Sequence, residues 1–521
     1  MRRMFRWPVW GLLSLVVIVI VVGLIVADHL TPAATGAPSH ALALQPAQTW
    51  IDRELAPLLA FHPGKTGVVL VADGLDAFAM RALAARKSGR SLDLQYYLWH
   101  DDMIGRLLAR EVHAAAKRGV RVRILLDDLN AEGIDPQLMA LDAHPNIELR
   151  LYNPFRNRQG LARLLEMVHR VFSLNYRMHN KAWIADGRVA VVGGRNIGEA
   201  YFSADAEVNF HDLDLLLLGP AVQQASTVFD TYWNSTAAVP MAALSQKKPE
   251  MLRRMLASAD LEALQPAAKR YLDRVAQAQD QAVRDYYQHT LVIHWSAGVR
   301  VIADPPLKGR DGDHRGWLVH RLAETLGTAR RKALVVSPYF VPGEGGTALL
   351  AALAGKGVKT GVITNSLAAT DVPLVHSGYA RYRKTLLEQG VHLYELKAHG
   401  NTGSASAFGS SSASLHTKAF TVDDARGFVG SFNLDPRSIS LNTEMGVLFE
   451  DTAIAIDVRK EFLRLADPAI SYWVYRNARG ELRWLDRIQT PPAVLRQEPD
   501  TTAWQRGLVR LLGWLPIESQ M

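Results

Sequence analysis

Residues 177–198 read RMHNKAWIADGRVAVVGGRNIG, and residues 414–435 read SLHTKAFTVDDARGFVGSFNLD. Each contains His-x-Lys-x-x-x-x-Asp: His179, Lys181 and Asp186 in the first, His416, Lys418 and Asp423 in the second. Downstream the register holds, with Asn196 and Asn433 each 17 residues after the motif histidine. Gly193-Gly194 corresponds to Gly430-Ser431. One such motif is a weak signal, but two with the same followers at the same offset mark a duplication. KAWIAD and KAFTVD read as strands, on which side chains two apart share a face. His and Lys of each motif therefore project together. The Asp lies at an odd offset and faces the other way, which makes it the structural member of the motif.

Working outward, strand and helix signals alternate. Leu92 to Trp99 reads as a strand, Ile104 to Lys117 as a helix closed by Gly119, and Val120 to Leu126 as a strand. The same order returns in Ala333 to Phe340, Thr347 to Ala354 closed by Gly357, and Val358 to Thr364. Glycine suits both helix ends because it takes a left-handed backbone cheaply. Such alternation predicts parallel strands with covering helices, in two α/β halves. The expected division is 1–27 anchor, 28–49 linker, 50–245 first half, 246–295 helical connector, 296–475 second half and 476–521 tail. The tail segment Trp504 to Ile517, with two Trp and two Arg, reads as a short helix docked on the enzyme's core, or as a segment lying in a membrane interface.

The chain has 521 residues, so it exceeds one ordinary core. Lys and Arg number 59 against 51 Asp and Glu, a net charge of +8 that suits an anionic partner, lipid or nucleic acid. There is no cysteine, which excludes disulfides, cysteine nucleophiles and Cys-ligated zinc. Arg2, Arg3 and Arg6 precede an uncharged apolar stretch from Trp7 to Ala27. That is about the length needed to cross a core of ~30 Å. The arginines favour a cytoplasmic N-terminus, with the rest of the chain on the far side. The stretch is longer than the ~7–15 apolar residues of a cleaved signal peptide, so a retained single-pass anchor is expected.

The six motif residues, His179, Lys181, Asp186, His416, Lys418 and Asp423, form the expected catalytic set, the two Asp as its structural members, and suit attack on a phosphodiester. Lys181 and Lys418 supply positive charge, and Asn196, Asn433 and Ser431 supply uncharged donors for phosphoryl oxygens. One neutral imidazole can attack phosphorus and hold it covalently. The other, protonated, can donate to the leaving alkoxide. A carboxylate such as Asp212 in HDLDLLL or Glu444 in TEMGVLF can orient a histidine. No metal or other cofactor is needed for this chemistry. Tyr97 and Tyr339, at the ends of equivalent strands, either line the site or cap the core. His376, Tyr379, Arg381 and Tyr382 either bind a lipid headgroup or are ordinary polar residues facing solvent.

The paired motifs resemble the phospholipase D superfamily. RMHNKAWIADGRVAVVGGRNIGEAYF, SPYFVPGEGG, DVPLVHSGYARYRKTLLEQGVHLYELK and GSFNLDPRSISLNTEMGV further resemble the bacterial cardiolipin synthases of the C type, from about Gly67 to near the C-terminus. The resemblance implies two phospholipase D-like α/β halves about a pseudo-twofold axis, with both motifs meeting at the interface. It implies phosphatidyl transfer from one phospholipid to the alcohol of another, through a phosphohistidine, with His179 as nucleophile and His416 as general acid. The expected substrates are phosphatidylglycerol and, as a second candidate, phosphatidylethanolamine. The expected setting is a bacterial inner membrane with the catalytic body periplasmic, and no nucleic acid is expected as a partner. Hydrolysis of phospholipid, or less readily of nucleic acid, is the rival reading. Gly194 stands where the second copy has Ser431, so the halves are not equivalent.

Overall fold

The computed structural model describes residues 36–128, 140–155, 175–244, 249–280, 292–310, 312–398, 412–515 and 518. The expected anchor, Trp7 to Ala27, lies outside the described residues. Among the described residues no helix is long and apolar enough to cross a membrane.

Two mixed sheets carry the fold. The first has nine strands, in the order His294–Ser296, Thr66–Val71, Asp214–Leu218, Val189–Gly193, Ala182–Ala185, Ser91–Tyr96, Arg121–Asp127, Ile147–Tyr152 and Ala238–Pro240. The second has ten, in the order Val299–Ala303, Met445–Glu450, Arg426–Gly430, Ala419–Val422, Lys332–Val336, Lys359–Asn365, His392–Leu396, Ser471–Arg476, Leu482–Asp486 and Ala493–Leu495. From Thr66–Val71 and from Val299–Ala303 onward, eight strands match in order and in direction. Only three neighbouring strands of each sheet are parallel; the helices Met103–Lys117, Gly343–Gly355 and Pro373–Glu388 make three of the four crossovers between them. The other pairings among the matching strands are antiparallel, because the motif strands turn back on themselves in tight hairpins.

One apolar core joins the halves. Val68, Ile184, Val192 and Leu215 from the first sheet pack with Val299, Val301, Val429 and Phe449 from the second. The facing layers of the sheets are thereby buried against each other, which fixes the relative position of the two motifs.

Two segments differ from expectation, the end of the connector and the start of the tail, while the tail's helix docks as in the first of its two readings. The connector contains the expected helices, Pro249–Glu262 and Pro266–Asp280, but its end forms the strand His294–Ser296 and pairs with Thr66–Val68 of the first sheet. The tail adds the strands Leu482–Asp486 and Ala493–Leu495 to the second sheet. Its helix Ala503–Leu512 docks on the helix Pro373–Glu388, burying Val509 while Trp504 and Trp514 stay exposed.

Candidate active site

The site forms where each half lends backbone to the other. The strand Ser412–Leu415, which leads into the second motif, pairs in parallel with Val208–His211 of the first half. Its continuation has His416 N donating to His211 O at 2.8 Å, one residue before Asp212. The mirror arrangement has His179 N donating to Thr443 O at 2.8 Å, one residue before Glu444. The regular motif strands begin only after the lysines, at Ala182 and Ala419. His-x-Lys therefore occupies an extended lead-in whose histidine N–H is bonded to the opposite half, while Lys418 O still accepts from Gly430 N of its own sheet at 3.1 Å.

This crossing pairs each histidine with the other half's acid. His179 Nδ1 lies 2.8 Å from Glu444 Oε2, and His416 Nδ1 lies 2.5 Å from Asp212 Oδ2. With Nδ1 engaged, Nε2 is the nitrogen left for chemistry in both rings. Lys181 Nζ donates to His179 O at 2.6 Å, and Lys418 Nζ donates to His416 O. All four basic residues and both acids are buried. Ser431 Oγ donates to Glu444 Oε2, and Ser438 Oγ donates to Glu444 Oε1 at 2.8 Å. At the equivalent Gly194 a Cβ would lie 2.2 Å from Asp212 Oδ1, so the shorter acid occupies the space a serine would need.

Burial shifts the basic groups of the cluster toward their neutral forms. It pushes His179 down to about 4, with Lys181 adding to the effect and Glu444 opposing it. Burial, then Lys418 and Lys181, hold His416 well below the ordinary histidine range. Lys418 falls to about 8 for the same first reason, against the pull of Asp212 and Glu444. Burial also lowers Lys181. The two acids diverge. Burial raises Asp212, whereas His179, Lys181 and Ser431 together outweigh burial at Glu444 and hold it low. A phosphodiester anion entering such a site would favour protonation of the bases around it.

Asp186 and Asp423, counted with the catalytic set on sequence grounds, are not brought into this cluster. Each sits at positive φ, +53° and +55°, in the turn after its motif strand. Asp186 accepts the N–H groups of Gly89, Arg90 and Ser91, and Asp423 those of Arg330, Arg331 and Lys332. They tie the motif strand to the start of its neighbour, as their odd offset implied. Asn196 accepts from Leu98 N at 3.2 Å, while Asn433 Oδ1 is buried without a hydrogen-bond partner among the described residues.

Aromatic rings wall the site. Tyr97 meets His179 edge to face at 5.0 Å, and Tyr201 and Phe210 lie 5.1 and 5.3 Å from the His416 ring. Tyr201 and Phe210 escaped the sequence reading, as did Ser438 and Asp435, whose carboxyl burial pushes up to about 7. Extending the repeat past Asn196 and Asn433 would have singled out Tyr201 and Ser438. Tyr339 donates to Asp371 at 2.7 Å. His376, Tyr379, Arg381 and Tyr382 instead bind Glu498, Glu395 and Glu518, in the network that seats the C-terminal segment.

Residues 84–233 and 322–466 match the family described as cardiolipin synthase, PLD-like domain. The chain is 43% identical over 471 residues to cardiolipin synthase C of Escherichia coli strain K12, covering 89% of this chain and 98% of that one. It is 31% identical over 468 residues to an uncharacterized protein of Helicobacter pylori strain J99, covering 89% and 91%. Among solved structures, phosphatidylserine synthase of Haemophilus influenzae Rd KW20 shares the fold, with a TM-score of 0.55 at 12% identity over 88% of this chain and 96% of that one.

Proposed function

The chain belongs to the cardiolipin synthase, PLD-like family, and on that premise we propose that it is a phosphatidyltransferase that makes cardiolipin through a phosphohistidine. The observation that carries this reading is the crossed pair of imidazoles, each held at Nδ1 by a buried carboxylate from the opposite half.

Neutral His179 attacks the phosphorus of a donor phospholipid with Nε2, forming a P–N bond. The P–O bond to the headgroup alcohol breaks as protonated His416 donates to the leaving oxygen. In the second step His416 takes the proton of the acceptor's hydroxyl, that oxygen attacks phosphorus, and the P–N bond breaks. With phosphatidylglycerol as donor and acceptor the products are cardiolipin and glycerol. With phosphatidylethanolamine as donor, ethanolamine leaves instead. Lys181, Lys418 and Asn433 neutralise and bind the non-bridging oxygens, and turnover requires no divalent metal. The apolar stretch Trp7 to Ala27 retains the enzyme at the inner membrane with its catalytic body in the periplasm, which supplies acceptor headgroups at high density.

Liposomes of phosphatidylglycerol, with and without phosphatidylethanolamine, are analysed by mass spectrometry after incubation with the full-length protein. Cardiolipin is the expected main product. Phosphatidic acid in both mixtures identifies a hydrolase, and cleavage of DNA at a comparable rate identifies a nuclease. With a phosphatidyl ester of an activated leaving group, His416→Ala should still form an adduct on His179, and His179→Ala should form none. An adduct mapped to His416 reverses the roles.

A further inference from the structure

Behind the second motif lies a cavity of about 550 Å³, and its lining is apolar almost throughout. Its deep wall includes Ala419, which adjoins Lys418, and Phe432 and Leu434, which flank Asn433. Leu322, Leu326 and Leu350 form its sides, and it opens to solvent past Ala323 and Gly345, between the helices Leu318–Gly327 and Gly343–Gly355. The one polar side chain in the lining is that of Ser337, whose Oγ donates to Tyr339 O and accepts from Leu434 N. Water in the cavity would find almost nothing to bind, so the space suits an apolar guest.

The duplication supplies an internal control. Counted forward from the bridges Trp99–Ile197 and Phe340–Leu434, Gly345 falls opposite Ile104; counted back from the closing glycines Gly119 and Gly357 it falls opposite Leu107, because the second-half helix is shorter, and both residues are buried. Ile104 is fully buried in the first half's core, whereas a Cβ on Gly345 would meet no atom within 4 Å. In the first half the equivalent helices, Gly74–Lys87 and Met103–Lys117, pack along each other and are covered by the connector helices. In the second half Leu318–Gly327 and Gly343–Gly355 touch only sparsely. The same scaffold is filled and closed on one side and open on the other.

We infer that this cavity takes one acyl chain of the phospholipid being processed, an inference that rests on the phosphatidyltransferase reading above. The phosphate and the chain belong to one molecule, and the deep wall is continuous in sequence with residues that border the phosphate site. Holding the chain there draws on binding energy remote from the reacting centre to position the phosphorus.

Gly345→Ile puts into the mouth of the cavity a branched apolar side chain of the kind the first half buries there. Because the position is helical and open, the variant should melt at or above the wild-type temperature. Its turnover of dioleoyl phosphatidylglycerol in vesicles should fall at least about tenfold, while turnover of monomeric dihexanoyl phosphatidylglycerol stays within about twofold. Unchanged long-chain turnover in a folded variant overturns the inference. So does an equal loss on both substrates, which would mean that the substitution disturbs the catalytic centre. In parallel, phosphatidylglycerol carrying a diazirine near the acyl terminus should photolabel wild-type peptides containing Leu322 and Leu349, and should not label them in the variant. Labelling elsewhere, or by free fatty acid alone, also overturns it. Labelling of the cavity without phosphatidyl transfer to any acceptor would leave the cavity assigned and remove the proposed function instead.

Discussion

Glu444 reaches His179 with a side chain one methylene longer than that of Asp212, which reaches His416, and the surroundings of the two acids are adjusted to match. Glu444 is held by Ser431 and Ser438 and stays low in pKa despite its burial. Asp212 has Gly194 where the other half has Ser431, presses against that glycine, and is raised by burial. One fold therefore holds two histidines, both depressed by burial, against differently supported acids. On the His179 side burial keeps the ring low while Glu444, a well-supported anion, opposes burial and, under the proposed assignment, stabilises the positive charge that develops on the ring as Nε2 bonds to phosphorus. The His416–Asp212 pair is the more poorly supported of the two, with the histidine lowered and the acid raised by burial, and the one an incoming phosphate has most to alter.

The largest expected effects separate these roles. Glu444→Gln and Asp212→Asn should each lower kcat on phosphatidylglycerol by about 10²- to 10⁴-fold, as loss of a histidine-orienting carboxylate does elsewhere. A substrate with an activated leaving group should restore the first-step burst in Asp212→Asn and leave Glu444→Gln slow. Equal rescue of both variants would break the comparison. Next comes the glycine–serine difference. Gly194→Ser forces a clash with Asp212 and should cost about 1–3 kcal/mol of stability as well as at least about tenfold in kcat. Ser431→Gly removes hydroxyl contacts to one oxygen of Glu444 and should cost only a few-fold in kcat. The opposite ranking in thermal melts and steady-state assays would mean that Gly194 has freedom the packing denies it.

The pH dependence sharpens the same contrast. The kcat/KM profile should be bell-shaped, falling on the acid side as His179 is protonated at about 4 and on the alkaline side first as His416 gives up its proton and then, at about 8, as Lys418 loses its charge. A flat profile from about pH 5 to about pH 9 would break the assigned roles. Lys418→Arg keeps its charge and should carry the alkaline limb upward, whatever its cost in rate. For stability the sign follows from proton counting. The folded state binds fewer protons at His179 than the unfolded state between about 4 and the ordinary histidine value of about 6.5. Stability from this group therefore rises with pH across that window, is fully present above it and is lost below it. His179→Asn should flatten the corresponding part of the melting-temperature profile.

The smallest effects on activity are expected at the turn aspartates. Asp186 is fully buried and Asp423 partly exposed, yet each accepts three backbone N–H groups. Asp186→Asn should cost about 1–3 kcal/mol and Asp423→Asn less, with activity per folded molecule unchanged in both. A large loss of kcat at full folding would restore them to the catalytic set.

Much of this was legible in the chain. The repeated His, Lys, Gly and Asn announced two equivalent α/β units, and the odd offset of Asp186 and Asp423 marked them as structural, because strand periodicity is a local property of the backbone. The helix and strand signals near Ile104 and Val358 likewise predicted elements that formed, since hydrophobic period and glycine caps act within a few residues. The partner of each histidine was not legible. Asp212 follows His179 by 33 residues and Glu444 follows His416 by 28, so proximity in sequence suggests pairing within each half. The folded chain does the reverse, because the lead-in strands pair across the interface, His416 against His211 and His179 against Thr443. That exchange is dictated by packing the facing layers of two twisted sheets into one core, Val192 and Leu215 with Val429 and Phe449. No short-range pattern encodes it. The sequence by itself determined which residues are used, and the tertiary structure alone decided which acid serves which base.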